Sequence, residues 1–579
     1  MDEASRHSCR HSCPRGLLGC LAVLTAAGLL TACSGIPTSG PIVAGNPVRA
    51  QEQTSSMAFS PGAPRAGDDP SGIVYGFLDA LSAYQPGYEI AREFLTPDAA
   101  AAWDPTEGIT VHRGSRPTLD VVDDSYVQVT MTVSGEVGND GSYSVEDAGL
   151  TRELDLPVER VAGEWRISDP PAGTIISEDN FQREFEPHNV CFFDPAFDVL
   201  LPDPVYVPKR GHVATLLAQQ LLDGPSDWLD PAVRSAFPEN ASLSVSSVPI
   251  ETGIATVDLS ENAQDTEPIE RARMAAQLAC TLAGLSEVTQ VQLNAAGVSL
   301  LSQDDGAGGT VDYERYDPDR ASAGGRLFAV QDGGMNLRVD DEFRPVPGPL
   351  GTAEDLVEVA VHQDGDRAVA VGAWGDELQV AGLDAEAPLS TILHGSRLTS
   401  PAWDRNDLIW AVNQDGNEGE VVAVRPDATP VAVRGPDLEM RDVDRLAISP
   451  DGTRMALVID GIAYLAVVVY DGEAQDYVSI EQLRRIGPDG VALDVSWAGS
   501  ERIVVLVQDE DAEEVPESYI LDVFGAVRSP RGPVPGGAVS ISAGAQQKLV
   551  AVTEGGHIME NDSRTHWVNI GDGTSTAYP

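Results

Sequence analysis

At 579 residues, 42% of them hydrophobic, the chain has material for three or four domains of roughly 150 residues each. Its 90 acidic and 37 basic side chains give a formal charge of −53, a field that repels nucleic acid, anionic lipid headgroups and anionic wall polymers. Neutral, cationic or locally patterned proteins are the partners left.

The chain opens with Arg10 and Arg15 ahead of an apolar run from Gly16 to Leu30, the charged-then-apolar order of an export signal. That run is short of the roughly 20 residues a membrane span needs. It ends in "LTAC" and gives way at once to Ser, Gly and Pro. Small residues before a cysteine are what a lipoprotein signal peptidase requires, because the cysteine thiol is alkylated with diacylglycerol and then becomes the new N-terminus. Residues 1–32 are therefore read as a lipoprotein signal peptide and Cys33 as the lipidation site, S-diacylglycerol and N-palmitoyl. Removal of the signal changes the formal charge to −54, since it holds three arginines against Asp2 and Glu3. Residues 34–69 are rich in Ser, Gly and Pro, without hydrophobic periodicity. With Cys33 they read as a lipidated, flexible tether over 33–69, with a reach of ~30 Å as a coil.

A folded unit is expected over 70–188. Val74, Phe77, Leu78 and Leu81 mark one buried helical face, a short second helix is expected through Phe94 and Leu95, and Thr96-Pro97 supplies an N-cap and N1 proline for a third. Beyond Pro117 the period changes to two, with Val127, Val129, Met131 and Val133 on one face of a strand. "LDLPVERVAGEWRISDPP" reads as a hairpin turning at Ala162-Gly163. Helices followed by a curved antiparallel sheet resemble an NTF2-like cone.

The next unit, 189–305, begins with "VCFFDPAFDVLLPDPVYVP", strand-like on both sides of a turn. A helix follows with Val213, Leu216, Leu217 and Leu221 on one face, stopped at Gly224-Pro225. Then come a hairpin ending in Ile254 to Leu259, a helix carrying Met274, Leu278 and Leu282, and the strand "VTQVQLNAAG". The order and spacing of "LLDGP", "GIATVDLS" and "QLACTLAGLSEVTQVQLNAAG" resemble the GerMN domain, which implies an α/β fold here. Asp258 draws notice as a lone carboxylate, and a turn role suits it better than catalysis because no paired acid sits near it. Cys191 and Cys280 are the only cysteines after Cys33. Export permits oxidation, and a disulfide closing so long a loop is worth ~4.5 kcal/mol in the chain-entropy model; two buried thiols are the alternative.

From residue 323 to 579 the chain repeats a grammar of short strand, turn and apolar strand. Asp364, Asp404, Asp451, Ala498 and Ala543 align with steps of 40, 47, 47 and 45 residues. A four-stranded propeller blade takes ~40 to 45 residues, so an all-β propeller of about six blades is expected, able to fold by itself. The pairs Ala447/Ile448 and Met455/Leu457 are assigned to the core between sheets, and Trp403 and Trp497 to equivalent core places.

Lipobox, tether, mixed domain, GerMN-like domain and propeller in this order resemble the LpqB family of actinobacterial lipoproteins over essentially the whole mature chain. The resemblance implies a cell-membrane protein, lipid-anchored on the extracytoplasmic face. Its implied partner is the ectodomain of an MtrB-like sensor histidine kinase in an MtrAB-type two-component system, with effects on cell-wall and division signalling. It transfers no catalytic motif, cofactor or metal. The residues agree: HExxH, GxSxG and P-loop patterns are missing, and His112, His188, His212, His362, His394, His557 and His566 lie singly, without ligand spacing. "LSQDDGAGGTVDYERYDPD" clusters acids but breaks the EF-hand order. A propeller-borne cell-wall hydrolase and a small-ligand or carbohydrate-binding lipoprotein are the competing readings, because carboxylates are too numerous to exclude a catalytic pair.

Overall fold

The computed structural model describes residues 61–579, apart from 124, 147–148, 302–310, 322–324, 417, 437, 439–440, 471–476, 510–514, 524–527, 545–547 and 563. Cys33, the signal and most of the expected tether lie outside the described residues. The last part of the tether is packed: Pro61 is buried, and the Gly67 N–H donates to Glu164 at 2.8 Å.

Helix α1, Pro70–Leu81, starts where the Asp69 carboxylate accepts the Gly72 N–H, and it buries Val74, Phe77, Leu78 and Leu81 as its apolar spacing requires. Helix α2 covers only Glu89–Arg92. Phe94 and Leu95 leave it because the sheet takes their backbone: the Ile167 N–H donates to Phe94 O, and Thr96 N–H to Ile167 O, at 2.9 and 2.8 Å. The Thr96 hydroxyl then caps α3, Pro97–Ala102. The strand Tyr126–Val137 is the spine of a seven-stranded sheet, burying Val127, Val129, Met131 and Val133 against α1. The hairpin turn has Ala162 and Gly163 both at positive φ, 55° and 92°, which matches the right-handed twist of its strands.

After α4, Glu178–Glu184, the hairpin Phe185–Phe193 with Leu200–Pro208 spans the expected junction near residue 189. Helix α5, Val213–Asp223, buries Ala214, Leu217, Ala218 and Leu221. The expected face is thus rotated: Val213 and Leu216 are half-buried, because small Ala214 and Ala218 let the helix approach closely. Ile254–Leu259 and Gln290–Ala295 pair in parallel through the crossover helix α6, Pro268–Leu282, which buries Met274, Leu278 and Leu282. Asp258 serves a turn: its Oδ1 accepts the Gly297 N–H at 2.9 Å. Cys191 in the hairpin and Cys280 in α6 are joined sulfur to sulfur, with Cα atoms 6.0 Å apart.

Among the described residues the C-terminal region forms six four-stranded blades. Blade 2 runs from Leu356–Val361 to Ser390–His394, blade 3 from Leu398–Trp403 to Pro430–Arg434, blade 4 from Val443–Ile448 to Tyr477–Arg485, blade 5 from Val491–Trp497 to Arg528–Pro533 and blade 6 from Ala538–Ala543 to Trp567–Asp572. Blade 1 combines Phe328–Gln331, Gly334–Val339 and Glu342–Pro345 with the C-terminal strand Ser575–Ala577, and each innermost strand packs on the next, so the ring is closed by chain end against chain start. Blades 3 and 4 are further joined by parallel pairing of Ala432, Val433 and Arg434 with Tyr477, Val478 and Ser479. Met455, Leu457, Trp403 and Trp497 are core as expected. Ala447 and Ile448 are half-buried: each packs against a core on its own side of the strand, as expected, and both also line the axial channel.

One apolar cluster contains Leu201, Leu217 and Leu229 of the middle domain together with Leu465, Ile503 and Val505 of blades 4 and 5. The propeller is therefore docked on the domains before it, and the autonomy expected from the repeats is qualified by this shared surface.

Candidate functional site

Two polar constellations stand out against the apolar cores. The first is the junction of the three domains. Trp228 of the middle domain donates from Nε1 to the Gln482 carbonyl of blade 4 at 2.7 Å, and the Arg484 guanidinium lies 4.7 Å above its ring. Asp203 accepts the Ser226 N–H and hydroxyl at 2.6 and 2.9 Å. Burial pushes its carboxyl up to about 6, opposed by those two bonds and by Arg484, while Asp140 of the first domain raises it. Arg454 of blade 4 is fully buried and donates to Asp451 at 2.5 Å, to Ser500 O at 2.7 Å and to Pro202 O of the middle domain at 3.4 Å. Burial works against ionised Asp451, but the Arg454 charge and the Thr453 and Ser449 hydroxyls outweigh it and hold the carboxyl below its usual range.

The second constellation lines the propeller axis. In blades 2, 4, 5 and 6 the innermost strand carries a β-bulge at the same level, between Leu356 and Glu358, Val443 and Arg445, Ala492 and Asp494, and Ala538 and Ser540. A bulge re-aims the side chains beside it. Glu358, Arg445 and Asp494 each lie opposite the fifth residue of the adjacent strand, Val371, Val458 and Leu506, so they occupy one layer. Glu358, Arg445, Asp494 and Ser540 all line one axial cavity of about 330 Å³.

Two of these carboxylates also stitch blades. Glu358 Oε2 accepts the Ser400 N–H of blade 3 at 2.6 Å, and Asp494 accepts the Ile541 N–H of blade 6 at 2.7 Å and its neighbour Val495 N–H at 2.9 Å. Burial raises both, Asp494 to about 6; Arg445 opposes this at each, and Glu358 adds to the rise at Asp494. Arg445 makes no ion pair among the described residues and donates to the Asp444 carbonyl at 3.0 Å.

The repeats carried a signal for this layer that reading by apolar pattern passes over. Glu358 and Arg445 each stand nine residues, and Asp494 eight, before the arginine that opens the next strand: Arg367, Arg454 and Arg502. Charged residues at equivalent places in otherwise apolar inner strands are what mark the ring.

His362, Asp364 and Asp366 have ligand atoms within 4.8 Å of one another, although the spacing of the histidines along the chain points to no ligand set. Arg367 Nη2 sits 3.3 and 3.2 Å from the two His362 ring nitrogens, so a permanent cation already occupies that space. Burial, then Arg367, lower the His362 pKa. Asp304 and Asp305 of the acidic stretch lie outside the described residues, whereas Asp319 is tied to Ser500, accepting its N–H at 3.0 Å.

Family comparison divides the chain in the same order. Residues 63–182 match the Lipoprotein LpqB N-terminal domain, 189–301 the sporulation and spore germination family, and 333–579 the Lipoprotein LpqB beta-propeller domain. Similar proteins include Lipoprotein LpqB of Streptomyces coelicolor, 30% identical with 95% of this chain and 96% of that one covered, and of Thermobifida fusca, 28% identical with 97% of each covered. Lipoprotein LpqB of Streptomyces avermitilis is 29% identical, again with 97% of each covered. A solved nidogen/laminin complex covers 44% of the chain at 8% identity with a TM-score of 0.33. No helix among the described residues is long and apolar enough to cross a membrane. With three domain models matched in order and similarity along nearly the full length, the chain belongs to the Lipoprotein LpqB family.

Proposed function

We propose that this lipoprotein is non-catalytic, is anchored through Cys33 on the extracytoplasmic face of the cell membrane, and modulates the ectodomain of an MtrB-like sensor kinase by protein contact. The observation that supports this reading is the junction: Trp228, Arg454 and the shared apolar cluster join the N-terminal domains to the propeller as one compact unit. A partner held near the membrane by the first domains is thereby coupled to whatever the propeller meets further out. The acidic surface favours a basic face on that partner, so association is expected to weaken with salt.

Titration of a purified MtrB-type ectodomain against the soluble Cys33→Ala protein, at two ionic strengths, tests the partnership. Saturable binding that weakens at high salt is expected, and no binding at either ionic strength removes the mechanism. The same substitution is expected to move the protein from the membrane to the soluble fraction without changing its circular dichroism. Retention in the membrane fraction would rule out Cys33 as the anchor.

A further inference from the structure

The layer of Glu358, Arg445, Asp494 and Ser540 does more than close the ring. Glu358 Oε2 is engaged by Ser400, but no hydrogen bond to its Oε1 is found among the described residues. Arg445 spends one donor on a backbone carbonyl and makes no ion pair, although two carboxylates share its layer. Ser540 lies opposite Val552 in the strand ladder, and its hydroxyl makes no hydrogen bond among the described residues. A free acceptor, a guanidinium with spare donors and a hydroxyl thus converge from blades 2, 4 and 6 on one cavity, whose wall also includes Trp497 and Tyr578.

Charge decides what fits. A ligand carboxylate would meet Glu358 and Asp494, and a ligand cation would meet Arg445, so either ion is opposed by part of the ring. A neutral molecule with adjacent hydroxyls satisfies both kinds of group, donating to the carboxylate and accepting from the guanidinium. At about 330 Å³ the cavity sits at the small end of ligand pockets, the size of one or two sugar rings. We propose that the axial cavity binds a small neutral saccharide through Glu358, Arg445 and Ser540.

The test uses the soluble full chain and the probes glucose, N-acetylglucosamine and trehalose, followed by tryptophan fluorescence and saturation-transfer NMR, with arginine and succinate as ionic comparisons. Saturable binding of at least one sugar is expected. Glu358→Gln keeps an acceptor oxygen for Ser400 and removes the charge, and Arg445→Gln removes the guanidinium; each should weaken that binding about tenfold or more, the scale of a hydrogen bond to a charged group. Ser540→Ala, which breaks no hydrogen bond of the free protein, should weaken it several-fold and keeps the test decisive if a charge variant fails to fold, as judged by near-ultraviolet circular dichroism. No response to any sugar, binding of only arginine or succinate, or sugar binding untouched by the folded variants would overturn the assignment.

Discussion

Arg454 has no exposed surface; its guanidinium bonds Asp451 and backbone carbonyls of two other segments and lies 5.3 Å from the centre of the Trp497 ring. Its removal would strand a buried carboxylate and undo a contact between the middle domain and blade 4. Arg454→Met should therefore destabilise by about 3–5 kcal/mol, the cost of breaking a buried pair from one side. Denaturant unfolding checks this, and a loss within 1 kcal/mol would show that the charge is not held as described. Asp203 and Asp494 act through pH. Each binds its proton more tightly folded, at about 6, than at the ordinary 3.8, so the stability they contribute is complete below about pH 4 and is lost as pH rises through 6. On the order of 3 kcal/mol per group is at stake. Unfolding midpoints at pH 5 and pH 7.5 should thus differ less in Asp203→Asn and Asp494→Asn than in the unsubstituted protein. An unchanged difference would mean that neither carboxyl carries the shift. Acid falling well below this window should act the other way through Asp451, whose lowered pKa gives stability that disappears on protonation.

At the scale of elements, local rules explain most boundaries. Thr96 caps α3 as its position before proline foretells, Asp69, read as the end of the tether, instead caps α1, and α6 begins with a capping box between Glu267 and Glu270. The rotated face of α5 and the early end of α2 needed information from neighbours, because both were set by what packs or pairs against them. The Cys191–Cys280 link ties the hairpin Phe185–Phe193 to α6 across 89 residues. We propose that it persists in the exported protein. Replacing both cysteines by serine, or adding reductant, should then lower stability by about 4–5 kcal/mol in the chain-entropy model. Equal unfolding midpoints with and without reductant would show that the thiols are free.

At the scale of the molecule, closure depends on six residues at the C-terminus. The strand Ser575–Ala577 supplies the inner strand of blade 1, and Thr576 O accepts the Ser542 hydroxyl of blade 6 at 2.7 Å. Deleting residues 574–579 should leave blade 1 without that strand and its seam with blade 6 reduced to contacts such as the Arg338–Glu560 ion pair, the Gln331–Asp572 bond and the cluster of Leu327, Ala329, Val550 and Ile558, with a Tm well below that of the full chain and early proteolysis within the propeller. An unchanged Tm and protease pattern would show that the ring does not need this strand. Separating the propeller from the middle domain should also cost stability, because Leu465, Ile503 and Val505 share a cluster with Leu201 and Leu229.

Periodicity, turn chemistry and spacing made the helix face of Val74 to Leu81, the strand of Val127 to Val133 and the repeated blades legible in the sequence, because these depend on neighbours a few residues away. The candidate channel was legible only in hindsight: Glu358, Arg445 and Asp494 stand at equivalent places, yet nothing local says that they face one axis. That followed from ring closure, which brings strands more than a hundred residues apart into one layer. The docking of the propeller was invisible for the same reason, since Arg454 looks like an ordinary turn arginine until Pro202, 252 positions earlier, is placed against it. The sequence alone determined the elements and the family; the tertiary structure decided which charges are buried together, because burial is a property of the assembled core and not of the strand that carries the residue.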